Sequence, residues 1–303
     1  MESAQSHLRM YVKWYILLSL FVLSLVLWSI ILHEDHKGIL TFAVLNIGQG
    51  DSLFIESSTG TQVLIDGGPD KNLMREISQV MPWYDRNIDM IVVTNSDKDH
   101  FDGFIPLLEK YKVDVVLEPG TNSATSEYAF LEKEIAKKNI PKVLARRGQK
   151  IDLGGGAYLE ILFPDRDVSK LASNDGSIVM WLVYGETKIL LEGDSTERIE
   201  TYLTNLNSLD LKSTILKVAH HGSKTSSSKD FVRAVSPELA VISAGENNKY
   251  GHPTKETLAT MEELKIPTFV TCNMGRITFR SDGHKFTLQN KNMIPPIAGC
   301  LTK

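Results

Sequence analysis

The chain has 303 residues, 42% of them hydrophobic and 23% charged, enough for one large or two small globular domains. A formal net charge of −4 offers no general basic field of the kind that advertises a nucleic-acid binder. Two cysteines, Cys272 and Cys300, exclude a disulfide framework and a cysteine-built zinc cluster, and leave the redox compartment open.

Residues Trp14–Leu32 carry no charged side chain. A helix needs about 20 such residues to cross a hydrocarbon core. Trp14, Tyr15 and Trp28 stand near the two ends, as interfacial aromatics do. A cleaved signal peptide would have an apolar core of about 7–15 residues followed by small residues. Ile30-Ile31-Leu32-His33 offers none, so the expectation is an uncleaved anchor that enters the lipid bilayer through residues 14–32. Arg9 and Lys13 precede it, whereas Glu34, Asp35 and only Lys37 follow it. Basic flanks stay inside, so residues 1–13 are expected in the cytoplasm and everything after Leu32 outside. Residues 38–290 then form the folded domain and 291–303 a C-terminal tail.

Apolar β-branched runs predict strands at Thr41–Ile47, Ser52–Glu56 and Gln62–Ile65, with Gly48-Gln49-Gly50 and Ser57–Thr61 as turns. Asp51 reads as a turn residue. Asp66, at the end of the third strand, reads equally as a turn residue or a polar group with a task. A helix at Asn72–Met81 and a strand at Asp89–Val93 lead into the loop TNSDKDHFDG, Thr94–Gly103. Helix Phe104–Lys112, strand Val113–Leu117, helix Ser126–Lys138 and strand Ile140–Leu144 follow. Strands Tyr158–Phe163 and Ser177–Tyr184 flank a turn at Asn174-Asp175-Gly176. Strand Lys188–Leu191 ends in Glu192-Gly193-Asp194-Ser195 before a helix at Thr196–Asn205. Strand Thr214–Ala219 ends in His220-His221-Gly222-Ser223. Helix Lys229–Val235, strand Leu239–Ser243, a loop ending in Gly251-His252-Pro253 and helix Lys255–Leu264 come next. Strands Thr268–Cys272, Arg276–Arg280 and His284–Leu288 close the chain. Strands in an early and a late cluster, with helices interspersed, predict two sheets packed face to face under outer helices.

Strand ends carrying Asp97/Asp99/His100, Asp194, His220/His221 and His252 are the notable pattern. One such junction is ordinary. Several together imply that these groups meet something charged. Mixed imidazole and carboxylate donors suit zinc, manganese or iron over calcium. Each also has a plain reading: Asp194 as the cap of the next helix, His221 as a satisfied core histidine, His252 as a turn residue.

The segments NIGQGDSLFIES (Asn46–Ser57), LIDGG (Leu64–Gly68), DKDHFDG (Asp97–Gly103), NDGSIV (Asn174–Val179), ILLEGD (Ile189–Asp194), VAHHGSKTSS (Val218–Ser227) and YGHP (Tyr250–Pro253) occur in a telling order. From about Thr41 to Leu288 the chain resembles the metallo-β-lactamase-fold superfamily, and within it the hydrolase domain attached to ComEC-type competence DNA-uptake proteins. The resemblance implies an α/β, four-layer αββα sandwich with one or two divalent metals, zinc or manganese, at the open edge between the sheets. Carried over by position, Asp97 matches a ligand of the first metal, Asp99 and His100 ligands of the second, and Asp194 the bridging aspartate. His221, or else His220, completes the second site. His252 matches a late histidine that touches the scissile phosphate. Asn95 stands where the family opens its motif with histidine, which weakens the first metal position.

The resemblance implies metal-assisted hydrolysis of a phosphodiester, with DNA, single-stranded DNA included, as substrate outside the membrane. Asp99 would orient the attacking water, His252 would donate a proton and Lys224 would offset phosphate charge. Asn174 and Ser223 would touch substrate. A separate channel protein would be the partner, since the chain has no second apolar run of that length. A degenerate binding module without turnover, motivated by Asn95, and a hydrolase of another ester or lactone are the competing expectations.

Overall fold

The computed structural model describes residues 2–33, 38–206, 209–290 and 300. Two units emerge, Met1–Lys37 and Gly38–Lys303. The first contains α1 (Glu2–His33). Its stretch Tyr11–Ser29 has a mean hydropathy of 1.8 and is long and apolar enough to cross a membrane, and none of it is buried in the chain. This stretch begins three residues before the expected 14–32, and the helix already runs through the segment expected to be a separate cytoplasmic lead. Glu34, Asp35 and Lys37 lie outside the described residues.

The second unit begins with β1 (Leu40–Val44), β2 (Leu53–Glu56), β3 (Gln62–Ile65), α2 (Asn72–Val80) and β4 (Asn87–Val92). It continues with α3 (Lys98–Phe101), α4 (Phe104–Lys110), β5 (Lys112–Glu118), α5 (Ser126–Lys137) and β6 (Lys142–Leu144). Its later half runs through β7 (Lys150–Gly154), β8 (Ala157–Phe163), β9 (Val179–Tyr184), β10 (Thr187–Glu192), α6 (Glu197–Thr204) and β11 (Ile215–Lys217). It ends with α7 (Lys229–Val235), β12 (Leu239–Ile242), α8 (Lys255–Glu263), β13 (Thr268–Val270), α9 (Thr271–Met274), β14 (Ile277–Ser281) and β15 (Phe286–Leu288). One sheet has the order β15-β14-β1-β2-β3-β4-β5-β6 and the other β13-β12-β11-β10-β9-β8-β7.

Side-chain alternation explains the layering. On β1, Leu40, Phe42 and Val44 enter the core between the sheets, where they meet Leu159, Met180 and Ile189 of the other sheet. Ala43 on the same strand turns outward, under Ile77, Leu107 and Leu131 of the covering helices. On the second sheet Val179, Trp181 and Leu190 turn out against Ile199, Phe231 and Val235. Both faces of each sheet are therefore buried, which is why the strands read as near-continuous apolar runs. The predicted αββα sandwich is present.

Several boundaries differ from expectation. Thr268–Cys272 is strand only to Val270 and then turns into α9. The last strand is shorter than His284–Leu288. Strand β7 was hidden because Lys150 and Asp152 break its apolar run, as charges do on an edge strand. The two cysteines bond to each other, Cys272 to Cys300. Of the expected tail 291–303, only Cys300 lies within the described residues.

Candidate metal centre

The parallel strands β3 and β4 of one sheet, and β10 and β11 of the other, deliver their C-terminal ends to a common rim. After β4 the chain turns into α3, whose first residues include Asp99 and His100. After β10 comes Asp194. After β11, His220 and His221 sit in a tight turn with φ of 50° and 54°. Gly50 closes the rim from the β1–β2 turn. Its φ is +136°, and a Cβ there would lie 2.4 Å from the Asp99 carbonyl oxygen. A side chain at position 50 would thus push the acidic loop away.

Donor atoms of Asp99, His100, Asp194 and His221 all lie within 4.8 Å of one another. His100 Nε2 is 3.1 Å from Asp194 Oδ1. His221 Nε2 is 3.3 Å from Asp99 Oδ2 and 3.6 Å from Asp194 Oδ1. His100 and His221 are buried, whereas the Asp99 side chain is 31% exposed and opens the site to solvent. Each ring is held from behind. His100 Nδ1 meets Asp66 Oδ2 at 2.8 Å, and Asp66 accepts from the Thr94 N–H at 2.7 Å and the Thr94 hydroxyl at 2.6 Å. His221 Nδ1 meets the Ser243 carbonyl oxygen at 3.1 Å and Asp51 Oδ1 at 3.3 Å. An acceptor at each Nδ1 places the ring proton there and turns Nε2 toward the rim as a lone-pair donor.

The electrostatics fit a site built for a cation. Burial alone lowers the pKa of His221, but the Asp194 and Asp51 carboxylates reverse this and raise it to about 10. Burial likewise opposes charge on His100, and Asp194 and Asp66 lift it well above the ordinary imidazole range. Burial would raise Asp194, yet His100 and His221 hold it below the usual carboxylate value. Buried carboxylates thus draw protons onto the imidazoles, and a divalent ion would displace those protons. His100 Nε2, His221 Nε2 and Asp194 Oδ1 are all buried without a hydrogen-bond partner. Unspent donors of this mixed type, converging on one point, fit a divalent metal ion.

The structure places the other expected residues as follows. Asp194 does not cap α6; that position belongs to Thr196. Asp97 is half-buried and stands outside the group whose donors converge. Asn95 is buried, and its Oδ1 accepts the Asp97 N–H at 2.8 Å while its Nδ2 donates to the Ser177 hydroxyl at 3.3 Å. His220 lies at the mouth, Nε2 3.6 Å from Asp194 Oδ2, with Nδ1 3.1 Å from the Thr225 hydroxyl. His252 stacks on Tyr250, and its ring centre is 5.6 Å from that of His220 and 6.4 Å from that of His221. Burial and the neighbouring His221 and His220 charges lower its pKa to about 4. Its Nδ1, like the Asn174 Oδ1, is buried without a partner. The Ser223 hydroxyl is turned into its own loop toward Thr225, and Lys224 is exposed.

Sequence reasoning missed the supports. Asp51, read as a turn residue, is 1% exposed and salt-bridged at 2.6 Å to a fully buried Lys217. Thr94 and Ser243 were not singled out. The surviving signals were Asp66 at a strand end and a lysine inside the apolar run TILKVA.

Residues 45–246 match the family model of the metallo-beta-lactamase superfamily. The chain belongs to that superfamily. It is 27% identical over 260 residues to ComE operon protein 3 of Bacillus subtilis, covering 78% of this chain and 32% of that protein. It is 32% identical over 170 residues to competence protein ComA of Neisseria gonorrhoeae, covering 56% of this chain and 22% of that one. The chain thus spans less than a third of the length of these curated relatives. Among solved structures, CmlA, a diiron beta-hydroxylase from Streptomyces venezuelae, matches with a TM-score of 0.52 and 14% identity, over 80% of this chain and 54% of that one. That likeness speaks to the fold alone.

Proposed function

We propose that the chain is a membrane-anchored, metal-dependent phosphodiesterase that acts on DNA on the outer side of the membrane. The observation that carries this reading is the convergence of unpartnered His100 Nε2, His221 Nε2 and Asp194 Oδ1 beside Asp99. These four residues would hold the ion, zinc or manganese. Such an ion supplies Lewis acidity: it makes a nearby water acidic and draws charge from a phosphoryl oxygen. Asp99, the exposed member, orients the attacking water. His252, whose ring lies beside those of His220 and His221, handles the proton at the leaving oxygen. Lys224, exposed three residues after His221, would offset phosphate charge. Asn174, whose carbonyl oxygen is unspent, and Ser223 would contact the substrate.

The DNA assignment draws on the competence relatives. A membrane position is supported by Tyr11–Ser29 and an outside position by Arg9 and Lys13 ahead of the uncharged run Trp14–Leu32. The Cys272–Cys300 bond supports the same side, since disulfides persist in oxidising compartments. A separate channel protein remains part of this proposal as the partner. Protease digestion of intact cells that spared residues 38–303 would refute the orientation.

The test is metal content and bis-p-nitrophenyl phosphate turnover, with manganese or zinc added, for the wild type beside Asp194→Ala. The expected result is metal and turnover in the first and loss of both in the second; equal activity would remove Asp194 from the mechanism. A second reading, a binding module without turnover, is favoured by one observation: the Asn95 oxygen is spent on the Asp97 N–H and is no ligand. A wild type that binds DNA but holds no metal and turns over no diester would decide for it.

A further inference from the structure

The two rings behind the metal centre are supported by different means. Asp66, behind His100, is held by the neutral N–H and hydroxyl of Thr94. Asp51, behind His221, is held by a full positive charge: Lys217 Nζ lies 2.6 Å from Asp51 Oδ2 and donates to the Val218 carbonyl at 3.0 Å. Lys217 is 0% exposed, at the end of β11. Taking both charges out of water costs several kcal/mol per ion, and well-packed apolar residues are often as stable there. Fold stability alone therefore gives weak reason for a lysine at this point. The pair also bridges the sheets, from the β1–β2 turn of one to β11 of the other. Asp51 Oδ1 is buried without a hydrogen-bond partner and stands 3.3 Å from His221 Nδ1.

We propose that Lys217 is a positioning residue that fixes the Asp51 carboxylate against His221 Nδ1 and thereby sets the site's affinity for a divalent cation. The inference rests on the reading of Asp99, His100, Asp194 and His221 as the ion's holders. With Lys217 in place, Asp51 cannot swing toward solvent. The His221 ring keeps its proton on Nδ1, and Nε2 stays aimed at Asp99 and Asp194. Without it, only the Ser243 carbonyl, 3.1 Å away, still holds Nδ1, the ring is less firmly fixed, and the fourth donor is weakened. Supports of this kind behind metal-binding histidines typically contribute about 10–100-fold to affinity.

The test uses the full chain in detergent and zinc(II) alone, titrated against a chelator of known affinity. Cobalt(II) absorption gives the spectroscopic signature. Lys217→Met is expected to bind zinc about 10–100-fold more weakly and to shift the cobalt band. Asp51→Asn, which keeps the side-chain volume, is expected to weaken zinc similarly. The double variant is expected to be no worse than the weaker single one, because both break one link. Val235→Ala, under the far face of the same sheet, serves as the stability control, with unchanged affinity expected. Affinity in Lys217→Met within about twofold of wild type would overturn the proposal, as would losses that add in the double variant. An equal loss in Val235→Ala would overturn it too, by showing a stability effect. If Lys217→Met does not fold, Asp51→Asn decides alone: wild-type affinity there overturns the link. A wild type that binds no zinc or cobalt sinks the metal reading itself, which is a distinguishable failure.

Discussion

Two parts of the same loop after β4 contrast sharply. Around Asn95, polar atoms are spent on neighbouring chain: its side-chain oxygen accepts the Asp97 N–H, and its amide nitrogen donates to the Ser177 hydroxyl just ahead of β9. A few residues on, Asp99 and His100 join Asp194 and His221, where buried donor atoms are left unspent. The first part behaves as a folded turn and the second as a receptor for charge. The contrast teaches that neighbouring polar residues of one loop can divide between closing the turn and leaving donor atoms open on a rim.

The largest effect expected from breaking that contrast is at His221. His221→Ala should weaken metal binding more than about 100-fold, whereas His220→Ala should cost only a few-fold, since the His220 side chain is 23% exposed against 1% for His221 and stands outside the group of four whose donors converge. Parallel chelator titrations check this, and equal losses would show that both histidines hold the ion. A smaller effect should sharpen the contrast from the other side. Asn95→His should raise the bound metal per chain under saturating manganese, while removing the acceptor for the Asp97 N–H costs about 1 kcal/mol of stability. Unchanged stoichiometry would mean that the first position is closed by its surroundings and not by Asn95 alone.

The mildest expectation concerns pH. In the metal-free chain His221 has its pKa raised to about 10 by Asp194 and Asp51. A raised pKa means that the folded state binds the proton more tightly than the unfolded one. The added stability is fully present below about pH 6.5 and is lost as pH rises through about 10. The Tm of the metal-free chain should fall by several degrees between pH 7 and pH 10, and by less with zinc bound, since the ion replaces the proton. A Tm that stays flat over that window would show that His221 is already neutral.

Much of the fold was legible because both faces of each sheet are covered. That produces apolar runs such as MIVV and KILL, whose ends mark the rim. Asp99, His100, Asp194 and His221 were legible for the same reason, as polar groups at the ends of such runs. The supports were not. Asp51 and Lys217 are 166 positions apart, and nothing local distinguishes a buried ion pair from a turn aspartate and a strand lysine. Strand β7 escaped notice because it is an edge strand with charges on it, and α9 because β-branched Thr271 and the neighbouring Cys272 read as strand. Cys272 and Cys300 gave no local sign that they would meet.

The Cys272–Cys300 bond has a practical consequence for anyone producing the protein. It closes a covalent ring around β14, the strand that pairs with β1 and so braces the Gly50–Asp51 turn. For a closure of 28 residues the unfolded-chain entropy removed is worth about 3–4 kcal/mol. Material made in a reducing host cytosol would lack that lock, and a peptide nick inside the ring would go unseen until a thiol was added to the gel sample.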